Sequence, residues 1–332
     1  MFYVIAVDLG GTNLRVALVD ESGKIIEKRD TPTKVSEGHE IVIRQMKDLI
    51  RGVIKNSRVN MSPAGGGKGV ALQQIIGIGI ASPGPLDTKT GVIIDTPNLG
   101  WKNVALKDAI EQEFQLPTYV DNDGNLAALG ESWLGAGSGV NHLICLTLGT
   151  GIGGGIISNG EIFHGATDAA GELGHVIVEP EGLMCGCGNY GCMEAYASGT
   201  GITKRTLLSI KEGTPTTITE LVQNQLEKIT PLVVYQAAIK GDELANHILK
   251  ETGRYLGIGI VSIVNVLNPQ LVIIGGRVAQ IGELLLNYIK DEVAKRAYLE
   301  PCRQISIVLA QLGDDAGIIG AAKMVLSKVE SR

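Results

Sequence analysis

Aromatic residues are scarce. The 332-residue chain has three phenylalanines, two tryptophans and eight tyrosines, 4% in all, against 45 glycines. Few rings and many glycines suggest tight backbone turns around a small polar ligand. An excess of basic charge is also missing: 29 Lys and Arg stand against 35 Asp and Glu, a net charge of −6. That argues against nucleic acid or a membrane surface as the main partner, since such proteins carry a basic face. No long apolar run is present. The longest, "YLGIGIVSIVNVLNP" (255–269), is too short for a bilayer span and contains Asn265. The opening "MFYVIAVDLGG" lacks a basic n-region and reaches Asp8 early, so no targeting segment is expected. Cysteine is rare, and its number, five, is odd. A disulfide framework is therefore not expected, and a reducing cytoplasm is the expected setting.

What remains is ordinary globular composition, 44% hydrophobic and 19% charged, long enough for one large domain or two medium ones. The pattern along the chain is α/β. Residues 2–8 are a β-rich apolar run, followed by Gly10–Gly11 and a second run, "LRVALVD". "ESGK" makes a turn and "IIEKRD" a third strand. The same grammar returns at 142–163, with "HLICLTL", "GTGIGGG", "GIIS", an Asn159–Gly160 turn and "EIF". This repetition predicts an internal duplication. Helical spacing is read at 41–54, 242–267 (ended by Pro269), 278–296 and 315–328. Strands are read at 74–81, 271–276 and 305–310, and "MSPAGGGKG" (61–69) reads as an exposed loop. That loop is no P-loop, because Lys68 precedes Gly69 instead of Ser or Thr.

Two glycine loops, "DLGGTNLR" (8–15) and "LGTGIGGG" (148–155), are either simple hairpins or a pair that holds a polyphosphate. The holding groups would be backbone N–H groups and the hydroxyls of Thr12 and Thr150. Asp8 tips the balance. A carboxylate ending an apolar strand needs a cation or donors, and beside phosphate the natural partner is Mg²⁺, directly or through water. "GTGIGG" is not a dinucleotide fingerprint, because a strand follows it where a helix is required.

Three of the five cysteines, Cys185, Cys187 and Cys192, fall within eight residues of "GHVIVEPEGLMCGCGNYGCMEAYAS" (174–198). With His175 they make a Cys₃His set, a common closed zinc site. Folding that loop around zinc would bring Glu172 and Glu194 to one locale. Carboxylates and an oriented imidazole suit a polyol, whose hydroxyls both donate and accept. "DNDGN" (121–125) lies at a strand-to-helix junction, where Asp123 is either an N-cap or a catalyst.

"DLGGTNLR" and "LGTGIGGG" resemble the two phosphate motifs of the sugar kinase, hsp70 and actin superfamily. "GELGH" (171–175) and "CGCGNYGCME" (185–194) narrow the resemblance to the ROK family of repressors, open reading frames and kinases. The resemblance implies two ribonuclease H-like domains around a cleft. The first would comprise residues 1–121 plus 311–332, and the second 122–310 with the zinc loop. It implies that Asp8, Gly10, Gly11, Thr12, Asn13, Thr150, Gly151, Gly275 and Gly276 serve ATP and its Mg²⁺. It implies that His175, Cys185, Cys187 and Cys192 bind one Zn²⁺. Asn98, Asn122, Asp123, Glu172, His175 and Glu194 would contact the sugar, with Asp123 as base. Asp121 stands where many members carry glutamate, and no consequence is expected because it is not the base. "TPNLGWKNVAL" (96–106) resembles the glucokinase branch, which makes an ATP-dependent hexose kinase the leading expectation. An N-acetylhexosamine kinase is the alternative, since "DNDGNLAALGE" and "CMEAYASG" also resemble the N-acetylmannosamine kinases. A sugar-responsive repressor is disfavoured, because Asp8 leaves no room for a preceding DNA-binding module. Family members are commonly dimers or tetramers.

Overall fold

The first two apolar runs pair with each other. β1 (Tyr3–Leu9) and β2 (Asn13–Asp20) are antiparallel, in register from Tyr3↔Asp20 to Leu9↔Leu14. β3 (Ile25–Pro32) joins through a turn in which Asp20 Oδ1 accepts from the N–H groups of Ser22 and Lys24. The structure, a computed structural model, describes residues 2–57, 74–298 and 300–330. The loop read at 61–69 lies outside the described residues.

α1 (His39–Asn56) places Val42, Met46, Ile50 and Val53 on one face, and these bury with Tyr3, Ile5 and Val16 of the sheet. β4 (Ile75–Ser82) runs parallel to β1. A small antiparallel sheet follows, made of β5 (Leu86–Asp87), β6 (Val92–Thr96) and β7 (Trp101–Ala105). α2 (Leu106–Phe114) leads to β8 (Thr118–Asn122), which is parallel to β4, and then to α3 (Asp123–Leu134). The first large sheet has the order β3-β2-β1-β4-β8.

The second half repeats this plan. β9 (Leu143–Leu148), β10 (Ile152–Ser158) and β11 (Glu161–Ile162) are succeeded by the short α4 (Met193–Ala197), then α5 (Gly199–Lys211), α6 (Ile218–Leu221) and α7 (Pro231–Ala238). α8 (Glu243–Leu267) starts at Asp242, whose side chain accepts from the Ala245 N–H, and stops at left-handed Asn268 before Pro269. β12 (Leu271–Gly275), α9 (Glu283–Arg296), α10 (Glu300–Arg303), β13 (Ser306–Leu309) and α11 (Ala316–Glu330) complete the chain. The second large sheet has the order β11-β10-β9-β12-β13. Third, second, first, fourth and fifth strands occur in the same order in both sheets, as the duplicated sequence pattern predicts. The helix expected over 278–296 is interrupted. Val278–Ile281 is a 3₁₀ turn, and Gly282, at φ 73°, turns the chain before α9 begins.

Two compact units are present. One comprises residues 1–139, 155–171 and 314–332, the other 140–154 and 172–313. This differs from the division expected at 121, and the reason is close packing of α3 against α11. A side chain at Gly320 would strike the Leu126 carbonyl, and one at Gly130 would strike the Ala316 carbonyl. Small residues let the two helix backbones touch, so α3 belongs with the first unit. Among the described residues no helix is long and apolar enough to cross a membrane.

Candidate active site

In the first unit, the β1–β2 turn is the first glycine loop. Its N–H at Gly10 donates to the Asn13 carbonyl at 2.9 Å, which closes a tight hairpin. Gly11 lies against Asn98 in the β6–β7 turn, close enough that a Cβ would sit 3.1 Å from the Asn98 carbonyl oxygen. Asp8 is the penultimate residue of β1 and is largely buried. Its Oδ2 is 3.0 Å from Arg15 Nη1 across the register pair Asp8↔Arg15. The cation that the sequence demands beside Asp8 is thus supplied in part by the protein itself. Burial pushes the Asp8 carboxyl above the usual carboxylate range, and Arg15 pulls it back down.

At the β8–α3 junction the cap bonds are made mainly by Asn122. Asn122 is the N-cap: its Oδ1 accepts from the N–H groups of Gly124 at 2.8 Å and Asn125 at 3.3 Å. Its Nδ2 donates to the Gly84 carbonyl at 3.2 Å. Asp123 is the first helical residue and partly exposed, and its Oδ1 shares the Gly124 N–H at 2.8 Å. Asp121, for which the sequence led to no expected consequence, is buried, and its carboxylate accepts from the Asn122 N–H and from Asn125 and meets His164.

In the second unit, the β9–β10 turn is the second glycine loop. Its Gly149 carbonyl accepts from the Gly199 N–H at 2.8 Å, which docks the loop on the N-terminus of α5. Gly276, at φ 84°, presses on the backbone of Leu148 at the end of β9, where no side chain fits. Gly275 lies beside it, packed toward Ala310. A cavity of about 830 Å³ opens here, lined among others by Thr150, Thr200, Lys204, Leu208, Pro231 and Arg277. Of its walls, sequence reasoning found only the glycine loop with Thr150. The walls come from four separated segments, and only the loop glycines carry a readable signal.

The cysteine loop folds as its spacing predicts. One ligand atom from each of His175, Cys185, Cys187 and Cys192 lies within 4.8 Å of all the others. The Sγ atoms of Cys187 and Cys192 are 3.7 Å apart, and Cys185 Sγ is 3.8 Å from His175 Nδ1. A tetrahedral zinc with thiolate bonds of ~2.3 Å sets sulfurs about 3.8 Å apart, so the four residues fit that ion. The chemistry fits too: burial pushes the Cys185 thiol up to about 12, and a cation would be needed to keep it ionised.

Around this cluster the carboxylates gather. His175 Nε2, the ring nitrogen away from the thiols, is 3.8 Å from Glu172 Oε2. Burial raises the Glu172 carboxyl, His175 lowers it and nearby Glu194 raises it further. Glu194 Oε2 accepts from the Ile152 N–H at 2.8 Å, and a Cβ on Gly151 would strike it. The loop is held from outside by Tyr196, whose hydroxyl accepts from the Leu183 N–H at 2.6 Å. The Tyr196 ring stacks on Tyr255 at 4.0 Å. Of the residues read from sequence, the structure thus gathers Asp8, Gly10, Gly11, Asn13 and Asn98 around one glycine loop. It gathers Thr150, Gly151, Gly276, Glu172, His175, Glu194 and the cysteines around the other.

Repeated five-strand sheets, each with a glycine hairpin between its first two strands in chain order, define an actin-like ATPase fold. The model of the ROK family matches residues 4–328, and the chain belongs to that family. It is 36% identical over 330 residues to a glucokinase of Halalkalibacterium halodurans, covering 99% of this chain and 96% of that one. It is 33% identical over 328 residues to a xylose repressor of Caldicellulosiruptor bescii, covering 99% of this chain and 79% of the repressor. Among solved structures, a ROK glucokinase from Streptomyces griseus in complex with glucose and AMPPNP matches with a TM-score of 0.80 and 32% identity, covering 98% of this chain and 99% of that chain.

Proposed function

We propose that this protein is an ATP-dependent hexose kinase that phosphorylates glucose at its 6-hydroxyl. The enzyme class follows from its glucokinase relatives of equal length and the ATP-analogue complex in the matching fold. The observation that carries the mechanism is the division of labour at α3. Asn122 Oδ1 accepts from the N–H groups of both Gly124 and Asn125, whereas Asp123 Oδ1 shares only the first of them at 2.8 Å, so the cap does not depend on the Asp123 carboxylate. In this reading Asp123 orients the sugar hydroxyl and accepts its proton as the oxygen attacks the γ-phosphorus. The bond to the β-phosphate oxygen breaks and ADP leaves.

The two glycine hairpins supply backbone N–H groups and the hydroxyls of Thr12 and Thr150 to the phosphates. The cavity beside α5, with Leu208 and Pro231 in its wall, suits a nucleoside, and Lys204 and Arg277 bring positive charge to its rim. Mg²⁺ bound with ATP would neutralise phosphate charge on the Asp8 side. Zinc, when bound by His175, Cys185, Cys187 and Cys192, supplies a fixed anchor for the loop. His175 Nε2, Glu172 and Glu194 then offer acceptors and a donor to sugar hydroxyls, and Asn98 adds an amide.

A coupled ADP-release assay across glucose, mannose, fructose, N-acetylglucosamine and N-acetylmannosamine tests the reading. Glucose is expected to give the highest kcat/KM. A site built to pair a 2-hydroxyl leaves buried polar groups unmatched when an acetamido group replaces it, at about 1–3 kcal/mol each, or roughly ten- to hundred-fold. A higher kcat/KM for N-acetylmannosamine would move the assignment to the amino-sugar kinases.

A further inference from the structure

Asp121 is 3% exposed, and such a carboxylate is costly to bury without donors. It has three. Oδ1 accepts from the Asn122 N–H at 2.7 Å and from Asn125 Nδ2 at 3.1 Å, and Oδ2 lies 2.7 Å from His164 Nε2. The first two bonds fix the peptide that enters α3 and the first turn of that helix, the backbone that carries Asp123. The third reaches 43 residues along the chain to the segment after β11. There the His164 carbonyl accepts from the Ala170 N–H at 3.1 Å. Asp168, within the same segment, accepts from both the N–H and the hydroxyl of Thr88 at 3.0 Å. The charged groups that act on His164 are Asp121 from β8, Asp168 from its own segment and Lys328 from α11.

We propose that Asp121 and His164 form a positioning pair that sets the place of Asp123 and pins the segment that runs on to Glu172. The inference rests on Asp123 being the base of the kinase proposed above. Neither residue touches substrate in this assignment; both act through the junction they brace. A base must be held within a fraction of an ångström of its productive place, and a shift of about 1 Å costs up to ~10²-fold. His164 supplies the partner that holds Asp121 Oδ2 in place.

The experiment compares His164→Ala, His164→Gln and Asp121→Asn in the wild-type and Asp123→Asn backgrounds, with melting temperature as the fold control. His164→Ala is expected to lower kcat about tenfold and leave KM for ATP within about twofold. In the Asp123→Asn background the same change should cost less than about twofold, because the carboxylate it positions is gone. His164→Gln, which keeps a donor, should recover most of kcat. Equal losses in both backgrounds, or an unchanged kcat in His164→Ala, overturn the proposal. If Asp121→Asn fails to fold, the partly exposed His164 variants still decide. The pair is also read without turnover, by NMR titration of the His164 imidazole. Its pKa should stand above the ordinary value in the wild type and fall back in Asp121→Asn; no difference overturns the pair. A wild type that turns over no hexose overturns the kinase reading instead, and the NMR arm remains informative.

Discussion

The carboxylate of Glu194 joins two loops: Oε2 accepts a 2.8 Å hydrogen bond from the Ile152 N–H, and Oε1 lies 3.4 Å from the Cys185 thiol. One side chain therefore braces the second glycine hairpin and stands beside the cysteine cluster. From sequence, Glu194 reads only as a sugar contact. Its position makes it a strut of the second glycine loop.

That double contact predicts different outcomes for two substitutions. Glu194→Gln keeps an oxygen for the Ile152 N–H, so KM for ATP should stay within about twofold while KM for glucose rises. Glu194→Ala removes the strut and should raise both. Loss of a charged hydrogen-bonding partner costs about 1.5–3 kcal/mol, or roughly 10- to 100-fold. Steady-state kinetics with each substrate varied in turn checks this. A normal KM for ATP in the alanine variant would deny the strut.

If Asn122 is the cap and Asp123 the base proposed above, variants of these neighbours should fail in opposite ways. Asp123→Asn should lower kcat by about 10²–10⁴-fold and leave sugar affinity and melting temperature nearly intact. Asn122→Ala should cost about 0.5–2 kcal/mol of stability through the lost cap. Calorimetric unfolding of both variants, with kcat for each, separates the two. A fully active Asp123→Asn would reduce Asp123 to a structural residue.

Elemental analysis should find about one zinc per chain, and Cys187→Ser should lower that content. Cys187 is the exposed member of the cluster, so its loss is expected to open the tetrahedron without leaving a cavity in the core. KM for glucose should rise with the metal loss, because the loop that carries Glu172, His175 and Glu194 loses its anchor. Metal loss with an unchanged glucose KM would detach the cluster from the sugar site.

Much of this arrangement is legible in the residues themselves. Alternating apolar runs punctuated by glycine predict β1–β2 and β9–β10, and the spacing of Cys185, Cys187 and Cys192 predicts the cluster that forms. What is not legible depends on segments far apart in the chain. The small sheet β5–β7 is too short for periodicity to mark. The break at Gly282 needs a positive φ that one glycine among 45 does not announce. The cap at Asn122 and the strut at Glu194 depend on backbone N–H groups whose directions exist only after folding. The meeting of Asp121 with His164 has no local pattern at all.

The same pair gives the protein a pH-dependent component of stability. His164 is raised above its ordinary value of 6.5, first by its hydrogen bond to Asp121, against the opposing effect of burial. Asp121 and Asp168 add attraction, and Lys328 opposes it. A group raised on folding binds its proton more tightly in the native state. Its contribution is therefore complete below the unfolded value and disappears as pH rises through the folded one. The melting temperature of the wild type should exceed that of His164→Gln most clearly near pH 5–6, and the gap should narrow steadily toward pH 9. Because the imidazole is partly exposed, the expected effect is on the order of 1 kcal/mol, a difference of roughly 1–2 °C. Differential scanning calorimetry at several pH values measures it. A gap that is constant with pH, or one that widens on the alkaline side, would mean that the imidazole charge does not stabilise this junction.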